Sequence, residues 1–264
     1  LLSVIMTASN IFTAIGMMSG TSLDGVDVAL VETDGKDFTR LLDFQSFPFG
    51  PQIKESVQMV FGRSRPDHQT QIAENLVTEA HIDAIFKTGW KADIIGFHGQ
   101  TIFHDPGSKV SIQIGNPQNL ADSVGIDVVA DMHQTDSARG GQGAPLLPLC
   151  HRSFAAEQEK PIAILNLGGV GNITWLGMNR ADIVAFDTGP ANALIDYLVR
   201  ARTGDAYDSQ GKRALAGTPL MRLVEEWLEH PFFNKSPPKS LDRNQWDVSS
   251  VTEFDLCDAI ATLT

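Results

Sequence analysis

Two short segments carry the residue types that hold phosphate. Gly20-Thr21-Ser22-Leu23-Asp24-Gly25 sets two hydroxyls, a carboxylate and glycines between apolar runs, and Gly168-Gly169-Val170-Gly171-Asn172 repeats that plan later in the chain. Glycine lets backbone N–H groups come close to an anion, and clustered amides and hydroxyls suit the oxygens of a nucleotide phosphate. No Gly-Lys-Ser/Thr follows, so neither segment is a Walker A loop. Taken singly, each also has the composition of a tight structural hairpin. Two such hairpins facing each other would clasp one phosphate chain from both sides.

Three aspartates, Asp24, Asp131 and Asp187, fall where apolar runs end. In α/β proteins ligands gather beyond the carboxyl ends of strands, so these carboxylates are candidates for metal or base duty. The competing reading of Asp187 is helix capping, with Thr188 the better cap for a helix opened by Pro190. Asp131 is equally suited to a turn. Three polar groups, His98-Gly99-Gln100-Thr101, Gln113-Ile114-Gly115-Asn116-Pro117 and Gly140-Gly141-Gln142-Gly143, place amides and hydroxyls where a hydroxyl-rich ligand such as a sugar finds partners. Each alone is more often just a turn. His98 and His104 lack both the H-x-x-x-H spacing and the cysteine partners of a zinc site, which argues against metal ligation by histidine.

The elements that would position these groups are strands and helices in alternation. Apolar runs at residues 11–18, 26–32 and 41–49 read as strands, the first two joined as a hairpin. Helical spacing of Ile72, Ala73, Leu76, Val77, Ala80 and Ala84, with Gly89 as a stop, predicts a helix over 66–89. Short β-branched runs follow at 93–97, 110–114 and 126–130, with a helix at 117–124. From Ile162 a strand, a small polar turn, a strand to Leu176 and a further strand at 183–186 repeat the opening plan. Helices over 190–200 and after Thr218-Pro219 come next. The pattern predicts an α/β chain of two duplicated βββαβαβα domains, 11–150 and 161–264, the second incomplete. The segment 230–250, with Pro231, Pro237 and Pro238, predicts a long loop, and Thr252 with Asp255 predicts a capping box for a last helix.

Composition narrows the function classes. The chain has 264 residues, 42% of them hydrophobic, and a net charge of −12. That is too apolar for disorder, and an acidic chain with scattered Lys and Arg is a poor match for nucleic acid or an anionic membrane surface. No apolar run approaches the roughly 18 residues of a membrane span. Leu1-Leu2-Ser3-Val4-Ile5-Met6 has no basic flank of a signal peptide, so a cytoplasmic protein is expected. Cys150 and Cys257 match no metal or redox spacing and are expected to be reduced, mostly buried thiols.

Together these segments resemble a known family. Ile15-Gly16-Met17-Met18-Ser19-Gly20-Thr21-Ser22-Leu23-Asp24-Gly25-Val26-Asp27, Gly96-Phe97-His98-Gly99-Gln100-Thr101, Gln113-Ile114-Gly115-Asn116-Pro117, Asn166-Leu167-Gly168-Gly169 and Phe186-Asp187-Thr188-Gly189-Pro190 are similar to anhydro-N-acetylmuramic acid kinases. That family belongs to the sugar kinase and actin superfamily, whose two α/β domains close over ATP, so the resemblance implies a nucleotide cleft between the two domains. The resemblance implies a small amino-sugar substrate, whose 1,6-anhydro bridge is opened by water while O6 is phosphorylated by ATP in peptidoglycan recycling. It implies Asp187 as catalytic base and Gly20, Thr21, Ser22, Leu23, Asp24, Gly25, Val26 and Asp27, with Gly168, Gly169 and Asn172, as the nucleotide-phosphate segments. Asp24 would lie near Mg²⁺, and His98, Gln100, Thr101, Gln113, Asn116 and Asp131 would line the sugar side. A homodimer is consistent with the family.

Two departures bear on these expectations. The family continues beyond the position matching Thr264, into a glycine-rich adenosine segment and a further acidic residue. It also tends to have Lys-Ser-Thr-Gly-Arg-Glu where this chain reads Lys239-Ser240-Leu241-Asp242-Arg243-Asn244. The alternatives are a nucleotide-binding conformational module of the chaperone or actin kind, against which the sugar-side loops argue, and an inactive fragment of the kinase.

Overall fold

Alternation decides the first sheet. Ile15 and Met17 on one strand, Val26 and Val28 on the next and Ile95 and Phe97 on a third point to one face and are buried, while Gly16, Met18 and Asp27 lie exposed. The computed structural model describes residues 11–264 apart from 106, 107, 109, 142, 144, 145, 242–245, 247 and 248. The readings made for residues 1–6, and parts of the segments at 140–145 and 239–244, lie outside the described residues. The chain divides into two units between Glu157 and Gln158.

In the first unit, β1 (Phe12–Ser19), β2 (Gly25–Thr33) and β3 (Thr39–Pro48) form an antiparallel meander. Helices α1 (Pro51–Gln58) and α2 (His68–Thr88) follow. β4 (Ile94–Asp105) then pairs parallel to β1, β5 (Val110–Ile114) antiparallel to β4, and after α3 (Pro117–Val124) the two-residue β6 (Val128–Val129) pairs parallel to β4. The order is β3-β2-β1-β4-β5, with β6 also on β4. Helices α4 (Met132–Ala138) and α5 (Pro148–Phe154) complete the unit. Val57 of α1, Ala73, Val77, Ala84 and Ile85 of α2 and Leu120 of α3 pack on the buried sheet face. Each large side chain there contributes about 1.5–3 kcal/mol.

The second unit opens with another antiparallel meander, β7 (Ile162–Leu167), β8 (Val170–Leu176) and β9 (Ile183–Pro190). Helices α6 (Asn192–Thr203), α7 (Lys212–Ala216), α8 (Met221–Leu228) and α9 (Leu256–Leu263) follow. Leu198 and Val199 of α6 pack with Val251 and with Ala259 and Ile260 of α9.

Several expectations are corrected. Helix α1 falls where the sequence pattern assigned no element; Pro51 fits its first turn, but only Val57 along it is buried, so it has no apolar stripe. Pro190 closes β9 instead of opening α6, and the residue before that helix is Ala191, so Thr188 is not its cap. Asp187 therefore lies inside a strand, not at its end. Asp255 alone caps α9, accepting from the Cys257 and Asp258 amides at 2.8 and 3.4 Å, while Thr252 Oγ1 donates to Ser249 O. Cys150 on α5 is exposed. Among the described residues, no helix is long and apolar enough to cross a membrane.

Two consequences are measurable. A Cβ at Gly25 would meet Phe47 O at 2.0 Å, whereas one at Gly50 would meet nothing within 4 Å. Gly25→Ala is expected to cost about 2–3 kcal/mol by overpacking, and Gly50→Ala, at the N-cap of α1, less than about 1 kcal/mol, read as shifts of the urea midpoint at constant slope. Equal midpoints for the two variants would refute the close approach. His81 of α2 is fully buried, its ring edge-on to Phe97, and burial pushes its pKa down to about 4. The unfolded chain, with an ordinary histidine near 6.5, then binds more protons between pH 6.5 and 4, so stability contributed by the neutral ring is complete above 6.5 and falls as pH drops to 4. The loss is on the order of 3 kcal/mol, and His81→Leu should flatten the stability profile over that window.

Candidate functional site

The turn between β1 and β2 is built on a leucine. Leu23 is 3% exposed yet has φ 58°, and its amide donates to Gly20 O at 3.0 Å. A left-handed leucine costs about 1–2 kcal/mol, which burial of its side chain offsets. The effect is to pin the turn from below and leave Thr21, Ser22 and Asp24 exposed above it. Val26 is also buried, so Leu23 and Val26 have only main chain to offer a ligand. Asp24 accepts from Phe49 N through its main-chain oxygen, and its carboxylate stands at the exposed turn. Asp27 Oδ1 instead accepts from Ser46 Oγ at 2.5 Å.

The polar segment of β4 lies beside that turn because β1 and β4 run parallel. Ser19 pairs with Gln100, and Ser19 Oγ donates to Gly99 O at 3.4 Å. Gly99 has φ 70° and a Cβ there would meet Ile114 O at 2.6 Å, so only glycine lets β5 come this close. Thr101 and Gln113 are cross-strand partners, and Gln113 Nε2 donates to Thr101 Oγ1 at 3.1 Å and to Ser111 Oγ at 2.7 Å. Both remain partly exposed. Gln100, in contrast, is fully buried, with Nε2 donating to Thr101 O and Oε1 lacking a hydrogen-bond partner.

Of two further sugar-side candidates, one has its side chain engaged in local structure and one does not. Asn116 caps α3, its Oδ1 accepting from Asn119 N at 2.9 Å. Asp131 precedes α4 in a left-handed conformation, makes no side-chain cap and is exposed.

His98 is half-buried and turned to a residue that the sequence reading passed over. Its Nε2 is 2.7 Å from Nε2 of His133 on α4, and the rings meet edge to face at 4.7 Å. His133 Nδ1 lies 2.5 Å from Gly143 O, and Gly143 N donates to Asp136 Oδ2 at 2.9 Å. Burial, and then the neighbouring His98, push the His133 pKa below the ordinary histidine value. No spacing rule links positions 98 and 133; only folding joins them, by packing α4 against β5, the neighbour of β4 in the sheet.

In the second unit the turn at Gly168 and Gly169 is stapled to the start of α6. Gly168 O accepts from Asn192 N at 2.9 Å, Gly169 O from Ala191 N and Ala193 N, and Asn192 Nδ2 donates to Leu167 O. Those helix amides are thus engaged by the hairpin itself. Asn172 pairs with Asp187 across β8 and β9, next to a bulge after Gly171. Asp187 is half-buried; its amide donates to Lys239 O at 2.9 Å and its Oδ2 accepts from Leu241 N at 2.7 Å. That exchange ties the 239–241 segment along β9 and fixes the orientation of the carboxylate. Lys239 Nζ donates to Phe232 O and Phe233 O and lies over the Phe232 ring at 4.6 Å, so it too is anchored.

Among the described residues no group of three or more His, Cys, Asp or Glu side chains is placed to hold a metal. A magnesium ion used in phosphoryl transfer needs no such cage, since one or two carboxylates and the phosphates themselves hold it. The exposed Asp24 carboxylate fits that requirement better than Asp27, which Ser46 engages.

Comparison with known proteins places these features in a family. The anhydro-N-acetylmuramic acid kinase family matches residues 12–256. The anhydro-N-acetylmuramic acid kinase of Rhizorhabdus wittichii is 43% identical over 95% of this chain and 72% of its own length. Those of Zymomonas mobilis and Paramagnetospirillum magneticum are each 42% identical over 95% of this chain, and over 73% and 72% of their own lengths. Among solved structures, an exopolyphosphatase-like protein aligns with 84% of this chain and 62% of its own at 12% identity and a TM-score of 0.37, too slight a likeness to bear on the fold. The extent and identity of the family match leave one assignment: the chain belongs to the anhydro-N-acetylmuramic acid kinases, a family of phosphotransferases.

Proposed function

We propose that this chain uses ATP to open the 1,6-anhydro bridge of anhydro-N-acetylmuramic acid and to phosphorylate O6, giving N-acetylmuramic acid 6-phosphate for cell-wall recycling. The observation that carries the reading is Asp187, a half-buried carboxylate whose Oδ2 is fixed by the Leu241 amide within a segment that matches the family. A water molecule adds to the anomeric carbon and gives its proton to Asp187; the bond from that carbon to O6 breaks, O6 takes the γ-phosphoryl group, and ADP leaves. The base works only if held in line with the attacked carbon, which is what a strand position and a backbone N–H supply.

The first unit contributes the turn at residues 20–25 and the polar face at Thr101 and Gln113. Exposed hydroxyls of Thr21 and Ser22 and the close main chain suit phosphate oxygens, and Thr101 and Gln113 offer a hydroxyl and an amide to sugar hydroxyls. Asp24 would hold magnesium, which when bound offsets charge on the phosphate oxygens. The matching order of strands in the two units, a meander followed by a helix, supports their origin by duplication. A cytoplasmic setting and a homodimer belong to the same reading.

The test is sugar-dependent ADP release by the chain. Asp187→Asn keeps an acceptor for the Leu241 amide, so it should fold with an unchanged thermal midpoint and lose about 10²–10⁴-fold in kcat; near-normal turnover would remove Asp187 from the role of base. Asp24→Asn should raise the magnesium concentration for half-maximal rate by about tenfold with little change in the KM for sugar. An unaltered magnesium dependence would place the metal elsewhere.

A further inference from the structure

Both histidines of the 98–133 pair turn Nδ1 to a carbonyl oxygen, His98 to Gly99 O at 2.9 Å and His133 to Gly143 O at 2.5 Å. A carbonyl oxygen only accepts, so each Nδ1 carries hydrogen. A neutral imidazole has a single N–H, so in two neutral rings both Nε2 atoms would present lone pairs to each other across 2.7 Å. One additional proton converts that repulsion into a charge-assisted N–H···N bond. We propose that His98 and His133 share one proton between their Nε2 atoms, and that this singly charged pair is a clasp holding α4 and the turn at Gly143 on β4, with His133 a positioning residue for the sugar-side loop.

The surroundings agree with a single charge. Asp136, one turn along α4, accepts from Gly143 N and draws positive charge toward His133; His104 of β4 lies next to Gly143, and His81 of α2, buried and neutral, adds no charge. A second proton would set two like charges in contact, and burial together with His98 already holds His133 below the ordinary histidine range. The clasp is therefore closed over a window of pH. It opens on the acid side when both rings are charged and on the alkaline side when the shared proton leaves.

Its role toward the sugar rests on the proposed function, but the shared proton does not, and the experiment separates them. In the full chain labelled with ¹⁵N-histidine and without substrate, long-range ¹H–¹⁵N spectra near neutral pH should show both Nδ1 atoms protonated and one strongly deshielded proton between the two Nε2 atoms. An unprotonated Nδ1 on either ring, or two proton-free Nε2 atoms, would overturn the shared proton. His133→Phe should abolish the deshielded signal and raise the KM for sugar about tenfold with kcat changed less than about twofold. The side-chain amide of His133→Gln donates to the bare Nε2 of a neutral His98, so this variant should restore KM while removing its dependence on pH. A KM unmoved in both variants would overturn the positioning role. Should the phenylalanine variant fail to fold, the pH-independence of the glutamine variant decides, and continued pH dependence there overturns the clasp.

Discussion

The register of β1 on β4 is the constraint from which the first unit follows. Met17 lies opposite Phe97 and, after a shift of register, Ser19 lies opposite Gln100. Because side chains alternate along a strand, that register sends Ile15, Met17, Ile95 and Phe97 together into the core, and a slip by one residue would expose all four. It also fixes which polar segments become neighbours. β1 ends at the turn carrying Thr21, Ser22 and Asp24 at the level where β4 passes from Phe97 to the segment His98-Gly99-Gln100-Thr101. A candidate phosphate turn and a candidate sugar face are thus set side by side by apolar packing one residue away.

The second unit reaches the same end by a different local device. The bulge after Gly171 adjusts the pairing so that Asn172 stands opposite Asp187. A Cβ at Gly171 would meet Thr188 Oγ1 at 2.8 Å, so the residue type and the bulge depend on each other. The carboxylate is then locked from the far side by Leu241 N, and that segment by Lys239 on its two carbonyls and the Phe232 ring. Orientation here comes from backbone contacts made by a proline-rich segment that has no regular structure of its own.

What was legible in the sequence had a local cause. The strands at 12–19 and 25–33 alternate, and α2 announces itself by its apolar spacing and by Gly89 at its end, whereas its Asp67 cap emerges only in the structure. The turn residues Gly20 to Gly25 were found because composition alone marks them. What escaped was set by partners distant in sequence. β4 runs on to Asp105, through residues that read as a polar loop, because β5 supplies hydrogen bonds along its second half. Pro190 stays in β9 because Val170 pairs with it, overriding its preference for a helix start. His133 and Lys239 were missed for the same reason: each acquires its role from a residue or carbonyl that only folding brings near.

β4 has to be both a core strand and the bearer of the site, and the conflict shows in its polar groups. Gln100 Oε1 and, on the helix packed against β4, His81 Nε2 are buried with no hydrogen-bond partner. Each such atom costs about 1–3 kcal/mol, in a unit whose core of valine, isoleucine and leucine supplies the offset. Apolar replacements at these two positions would remove that cost, yet they would also alter the bed on which His98 and Thr101 rest. The His81 ring packs edge-on to Phe97, and Gln100 lies opposite Ser19 of β1, so both polar residues adjoin the stretch of β4 that bears His98 and Thr101. The first unit thus carries its destabilising polar atoms on the strand and helix that support the candidate sugar face.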